Sequence, residues 1–153
     1  MWLLAGLAAG AEWRGRVVGV RDGDTIEVMR GRAAEVVRLH GVDCPELGQA
    51  YGRRAREAAS GLAFGKEVVV REVERDQYGR VVGRVRLPGG QDLGSELLKQ
   101  GLAWWFRRFA PRETAYRLLE EAARDARLGL WQDPDPTPPW VWRHERGRRG
   151  GGA

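Results

Sequence analysis

Residues 13–40, WRGRVVGVRDGDTIEVMRGRAAEVVRLH, decide the fold. Trp13 to Arg21 alternates around Val17, Val18 and Val20. Thr25 to Arg30 carries Ile26 and Val28 two apart, and Glu35 to His40 carries Val36, Val37 and Leu39. Branched apolar residues in short runs, bounded by turn residues, read as β-strands. Asp22-Gly23 and Arg30-Gly31-Arg32 supply the turns, because glycine and aspartate tolerate the tight backbone that a hairpin needs. Three strands joined this closely form a meander.

Downstream of the meander, Gln49 to Phe64 places Tyr51, Ala55, Ala58 and Leu62 at helical spacing, and Gly65 fits the stop. Lys66 to Glu74 and Arg80 to Leu87 are two more valine-rich strands, linked by Asp76-Gln77-Tyr78-Gly79 and closed by Pro88-Gly89-Gly90. Leu93 to Gln100 reads as a short helix. Glu113 to Leu128 reads as a longer one, with Tyr116, Leu119, Ala123 and Ala126 on one face and Pro111 and Gly129 at its ends. Five strands with three helices predict an α+β chain that is mainly β, and an OB-type Greek-key barrel is the best match among small β architectures. After Trp131 the run Asp133-Pro134-Asp135-Pro136-Thr137-Pro138-Pro139 excludes regular helix. Trp140 and Trp142 are expected to anchor this arm on the body, and the Arg- and Gly-rich segment 143–153 is expected to be disordered.

The length of 153 residues suits one domain, here 12–142. Residues Trp2 to Ala9 are apolar or small, and Ala9-Gly10-Ala11 before Glu12 fits a small-residue cleavage site. Residues 1–11 are therefore expected to be a signal peptide and the mature chain secreted or periplasmic. The apolar run lacks a preceding Lys or Arg, so a cytoplasmic protein with an apolar N-terminus is the alternative. The net charge of +5 favours anionic partners. The single cysteine, Cys44, excludes an intramolecular disulfide, and two histidines, His40 and His144, exclude a His-rich zinc site.

Chemistry concentrates at the strand ends. Asp22 and Asp24 are two apart, a spacing that puts both carboxylates on one side of extended chain. Asp43 follows the third strand, and Pro45 stiffens the segment before Glu46. Asp24 and Asp43 could offer a hard cation a site with few protein ligands, which leaves room for water and phosphate. Arg38 and Arg80 stand at strand ends, where a planar guanidinium can bond two phosphate oxygens and keep its charge. Carboxylates for a cation, arginines for a phosphate and a spare carboxylate for water are the parts of phosphodiester hydrolysis. Each residue alone reads more simply as a turn or surface residue.

Together the strings are specific. DGDT at Asp22–Thr25, RLHGVDCPE at Arg38–Glu46, DQYGR at Asp76–Arg80, GLAWWFRRF at Gly101–Phe109 and GLWQDPDPTPPWVWR at Gly129–Arg143 resemble the staphylococcal nuclease (thermonuclease) family over about Trp13 to Trp142. The resemblance implies a five-stranded OB barrel with helices and a monomer that needs no protein partner. It implies calcium-dependent hydrolysis of DNA and RNA to 3′-phosphates and 5′-hydroxyls. Asp24, Asp43 and the main-chain carbonyl of Cys44 would be calcium ligands, with Asp22 behind them. Arg38 and Arg80 would bind the substrate phosphate, Tyr78 would contact it, and Glu46 would act as general base or orient the attacking water. The family prototype has threonine in place of Cys44 and a longer, more lysine-rich loop after Glu46. Its base-stacking tyrosines have no clean match, with Phe106, Arg107 and Phe109 as candidates. A thiol beside a hard-cation site also suggests inhibition by oxidation or soft metals. A non-catalytic nucleic-acid-binding module and a protein-docking module built on the Trp-rich arm are the competing readings, and the complete set of acids and arginines argues against both.

Overall fold

The structure, a computed structural model, describes residues 10–151. The expected leader at 1–11 lies outside the described residues except for Gly10 and Ala11. Strands β1 (Glu12–Asp22), β2 (Thr25–Arg30) and β3 (Ala33–Leu39) form the meander. Helix α1 (Gly52–Ala63) leads into β5 (Glu67–Arg75) and β6 (Val81–Arg86), after the two-residue strand β4 (Val42–Asp43). The barrel closes in the order β1-β2-β3-β6-β5, with β5 returning to β1. Every pairing is antiparallel except β3 with β6. That parallel pair sets Val37 beside Val81 and Arg38 beside Val82. This is the predicted five-stranded barrel.

Alternation fills the barrel. Val17, Ile26, Val28, Val37, Val68, Val70, Val81 and Val85 all point inward and are fully buried. Each such side chain contributes roughly 1.5–3 kcal/mol by leaving water. Register shifts in β1, between Val17 and Gly19 and between Val20 and Asp22, bend the strand and aim Asp22 at the barrel mouth. Helix α1 covers one end with Ala55, Ala59 and Ala63, spaced by single helical turns. Helix α2 (Leu93–Lys99) adds the buried Leu93, Leu97 and Leu98, and its first turn is capped by Asp92, which accepts from Ser95 N at 2.9 Å.

Beyond the barrel, β7 (Trp104–Trp105) pairs with β4, setting Asp43 against Trp104. Helix α3 (Thr114–Asp125) turns Tyr116, Glu120 and Ala123 inward. Glu120 accepts from the Trp105 backbone N–H at 2.6 Å, which ties α3 to β7. A 3₁₀ turn at Gly129–Gln132 brings Trp131 onto Trp104, so Trp104 is a packing residue. The helix count departs from expectation. Where three helices and a disordered tail from Arg143 were expected, a fourth helix, α4, runs from Pro139 to Gly150. Pro139 sits at its first turn, where a missing N–H costs nothing. Trp140 then docks it, edge-on to Trp104 at 5.5 Å and stacked on Phe106 at 5.4 Å. Among the described residues, no helix is long and apolar enough to cross a membrane.

Candidate active site

The ends of β1, β2, β3 and β6 meet at one mouth of the barrel. A cleft of about 600 Å³ opens there, and Asp22, Asp24, Arg38, Glu46, Tyr78 and Arg80 all line it. Three segments separated in sequence are therefore brought together. Asp43 and Cys44 lie beneath the cleft floor: Asp43 is 0% exposed and Cys44 is buried.

The turn between β1 and β2 is built by its own side chains. Asp22 Oδ1 accepts from Asp24 N at 3.1 Å, closing an Asx turn. A Cβ on Gly23 would lie 2.8 Å from both Ala55 Cβ and Cys44 Sγ, so only glycine lets this turn pack between α1 and the β4 loop. Asp24 is buried, and each of its oxygens accepts a hydrogen bond. Its Oδ2 accepts from Cys44 N at 2.7 Å and its Oδ1 from Thr25 Oγ1 at 3.1 Å. Asp24 thus fixes the segment that leads to Glu46.

Arg38 crosses the floor. Its Nη1 donates to the carbonyls of Leu39 at 2.9 Å and Val42 at 2.8 Å. Its Nη2 lies 3.3 Å from Asp43 Oδ1 and 3.5 Å from Asp24 Oδ2. Arg80 is held differently. Asp76 Oδ2 accepts from its Nε at 2.6 Å, and Asp76 Oδ1 accepts from the backbone N–H groups of Tyr78 and Arg80. Asp76 therefore folds the β5–β6 turn and aims Arg80, whose two Nη groups have no protein partner among the described residues. Tyr78, 74% exposed, lies under the Arg80 guanidinium at 5.4 Å. Glu46 stands on a loop closed by Gln49, whose Oε1 accepts from Glu46 N at 3.2 Å. Gly52 backs that loop, since a Cβ there would strike the Glu46 carbonyl.

One residue went unpredicted. Arg143, on α4, donates from Nη1 to Asp43 Oδ1 at 3.0 Å and Glu46 Oε1 at 2.7 Å, and from Nη2 to Asp43 Oδ2 at 2.7 Å. The available signal was Trp140 and Arg143 three residues apart, on one face of a helix that starts at a proline. Phe106 and Phe109 also border the cleft, edge to face with each other at 4.7 Å.

Carboxylates dominate the charge of the site. Burial, and then the neighbouring Asp24 charge, push Asp22 up to about 7. Burial pushes Asp24 up as well, but the Arg38 guanidinium and the hydrogen bonds it accepts outweigh this and hold it below the usual carboxylate range. Arg143 is held firmly protonated by its bonds to Asp43. Burial raises the Cys44 thiol well above its ordinary value, which makes it a poor nucleophile and a poor target for oxidants or soft metals. Among the described residues, no three His, Cys, Asp or Glu side chains converge tightly enough to hold a metal ion by themselves.

The staphylococcal nuclease homologue family model matches residues 36–133. An uncharacterized endonuclease of Escherichia coli is 42% identical over 136 residues, covering 89% of this chain and 88% of that protein. A micrococcal nuclease of Shigella flexneri is 42% identical over 150 residues, 92% of this chain and 86% of that protein. An uncharacterized endonuclease of Haemophilus influenzae is 33% identical over 131 residues, 85% and 72% of the two chains.

Proposed function

Because the chain belongs to the staphylococcal nuclease family, we propose that it is a calcium-dependent nuclease that hydrolyses phosphodiester bonds of DNA and RNA. The observation that carries this reading is the convergence of Asp22, Asp24, Arg38, Glu46, Tyr78 and Arg80 on one cleft. The names of the relatives, endonuclease and micrococcal nuclease, point the same way.

The donor set fits a hard divalent cation. It offers only oxygen ligands, and burial together with the Asp24 charge, which raise Asp22, disfavour a charged carboxylate in a way that a bound cation offsets. Asp24, Asp43 and the Cys44 main-chain carbonyl would hold it, with Asp22 behind them. Such an ion supplies charge neutralisation at the phosphate and leaves positions open to water. Among the described residues, fewer than three such side chains converge there, so water and the substrate phosphate would have to supply the remaining oxygens.

The protein's own residues do the rest. Arg80 presents free N–H groups to the cleft and binds the phosphate, and Asp76 keeps it aimed. Arg38 lies at the floor, where it bonds a phosphate oxygen as negative charge grows there in the transition state. Tyr78 contacts the phosphate from the exposed rim. Glu46 takes the proton of the attacking water or orients that water toward phosphorus. The water oxygen bonds to phosphorus as the bond from phosphorus to the 5′ oxygen breaks. The 5′ oxygen takes a proton from solvent water and leaves as a hydroxyl, while the phosphate stays on the 3′ side. A monomer suffices, since every one of these residues comes from a single chain.

The test is digestion of end-labelled DNA and RNA with calcium and with chelator, followed by end-group analysis. Cleavage with calcium alone, leaving 3′-phosphates, is expected. Cleavage in chelator, or 5′-phosphate products, would overturn the assignment. Residues 1–11 are further proposed to be removed on export, and sequencing the N-terminus of the mature protein tests this: Glu12 is expected, and Met1 would refute it.

A further inference from the structure

Arg143 reaches the site from α4, an element packed outside the barrel. Trp140 seats that helix on Phe106 and Trp104, and Gln49 Nε2 donates to the Thr137 carbonyl at 2.7 Å just before it. The Arg143 guanidinium then covers both oxygens of Asp43 and one of Glu46. Asp43 has no exposed surface of its own, and its other approach is taken by Arg38. Arg143 is its solvent-side partner, with 39% of the side chain exposed.

A divalent cation that uses Asp43 must take oxygens the guanidinium already occupies. Two cations on the same carboxylate repel strongly at such distances. Resting on the calcium-dependent reading above, we propose that Arg143 is the built-in counter-ion of the metal-free site and yields Asp43 when calcium binds. The guanidinium and the ion are thus competitors for one carboxylate, and α4 is the element that registers the exchange. A ligand that binds only the form in which Arg143 has let go binds more weakly by the fraction of that form. Removing the competitor therefore tightens calcium binding.

Calorimetric titration of calcium into the full-length wild type, Arg143→Gln and Arg143→Lys tests this, with circular dichroism melts to confirm folding. Arg143→Gln should bind calcium roughly tenfold more tightly, the loss of a charged hydrogen-bonded pair. Arg143→Lys, which keeps the charge without the fork, should fall between. In the wild type, amide hydrogen exchange across residues 139–150 should speed up when calcium is added. Equal or weaker calcium affinity in Arg143→Gln, or unchanged exchange in α4, would overturn the competition and leave calcium dependence standing. Absence of calcium binding in all three proteins would overturn both.

Discussion

The guanidinium of Arg143 holds both oxygens of the buried Asp43 carboxylate, at 3.0 and 2.7 Å, across 100 residues of sequence. This pair ties α4 to the barrel floor. Removing it leaves a buried carboxylate with Arg38 as its remaining partner, an arrangement that costs about 1–3 kcal/mol. Urea unfolding of Arg143→Ala in chelator should show that loss, and added calcium should shrink it. A loss below about 0.5 kcal/mol would place the pair among surface ion pairs of little weight.

Arg80 and Asp76 make a graded test of the phosphate-binding assignment. Arg80→Ala removes a charged donor from the cleft and should lower kcat/KM by about 100- to 1,000-fold. Asp76→Asn keeps the arginine but weakens the carboxylate that aims it, and should cost roughly tenfold through misplacement. Equal effects of the two would show that the turn's fold, rather than the guanidinium, is what matters.

Glu46 should be the most sensitive side chain for the chemical step. Glu46→Gln keeps the shape and loses the base, and its kcat should fall by about 100- to 10,000-fold with folding intact. Gly52→Ala probes the same group indirectly. Its Cβ would strike the Glu46 carbonyl, so it should lower both melting temperature and kcat. A Gly52→Ala protein with normal kcat would detach the loop's backbone position from catalysis.

Much of this was legible in the chain. Val17, Ile26, Val28 and Val37 sit at strand spacing and fill the barrel, and the turn residues between them mark its edges. The candidate site residues were legible together rather than singly, since each alone reads as a turn or surface residue and only the combined strings carry the resemblance. The structure brings Asp22, Asp24, Arg38, Glu46, Tyr78 and Arg80 to one cleft. What escaped was tertiary. Strands β4 and β7 are two residues long, too short for any periodicity, and exist because Val42 pairs with Trp105. Helix α4 follows a proline run and is rich in Gly and Arg, so local propensity argues against it. Trp140 against Phe106 and Arg143 against Asp43 supply its stability; the sequence offers Trp140 as an anchor three residues before Arg143, but not the partners these two side chains meet.

Cys44 should prove inert. Its thiol is buried, and burial raises its pKa, so the thiolate is scarce at neutral pH. Native protein should resist thiol alkylation and keep full activity, while protein in denaturant should label quickly. Rapid labelling with loss of activity would instead restore the expectation of a redox-sensitive site.

Asp22 gives the pH dependence its sign. Burial and the Asp24 charge raise its folded-state value to about 7, against 3.8 as its ordinary value. Between those values the folded protein holds the proton more tightly than the unfolded chain does. Stability from this group is therefore present at low pH and is lost as pH rises through about 7. In chelator, the wild-type melting temperature should fall relative to that of Asp22→Asn as pH is raised from about 4 to 7. Asp22→Asn carries no titrating group at this position, so the difference between the two curves isolates it. Calcium should flatten that difference near neutral pH, because a cation beside the carboxylate stabilises its charged form and removes the advantage of the proton. Two curves that stay parallel in chelator would mean that Asp22 is not in fact held in the buried, charge-crowded position from which this sign follows.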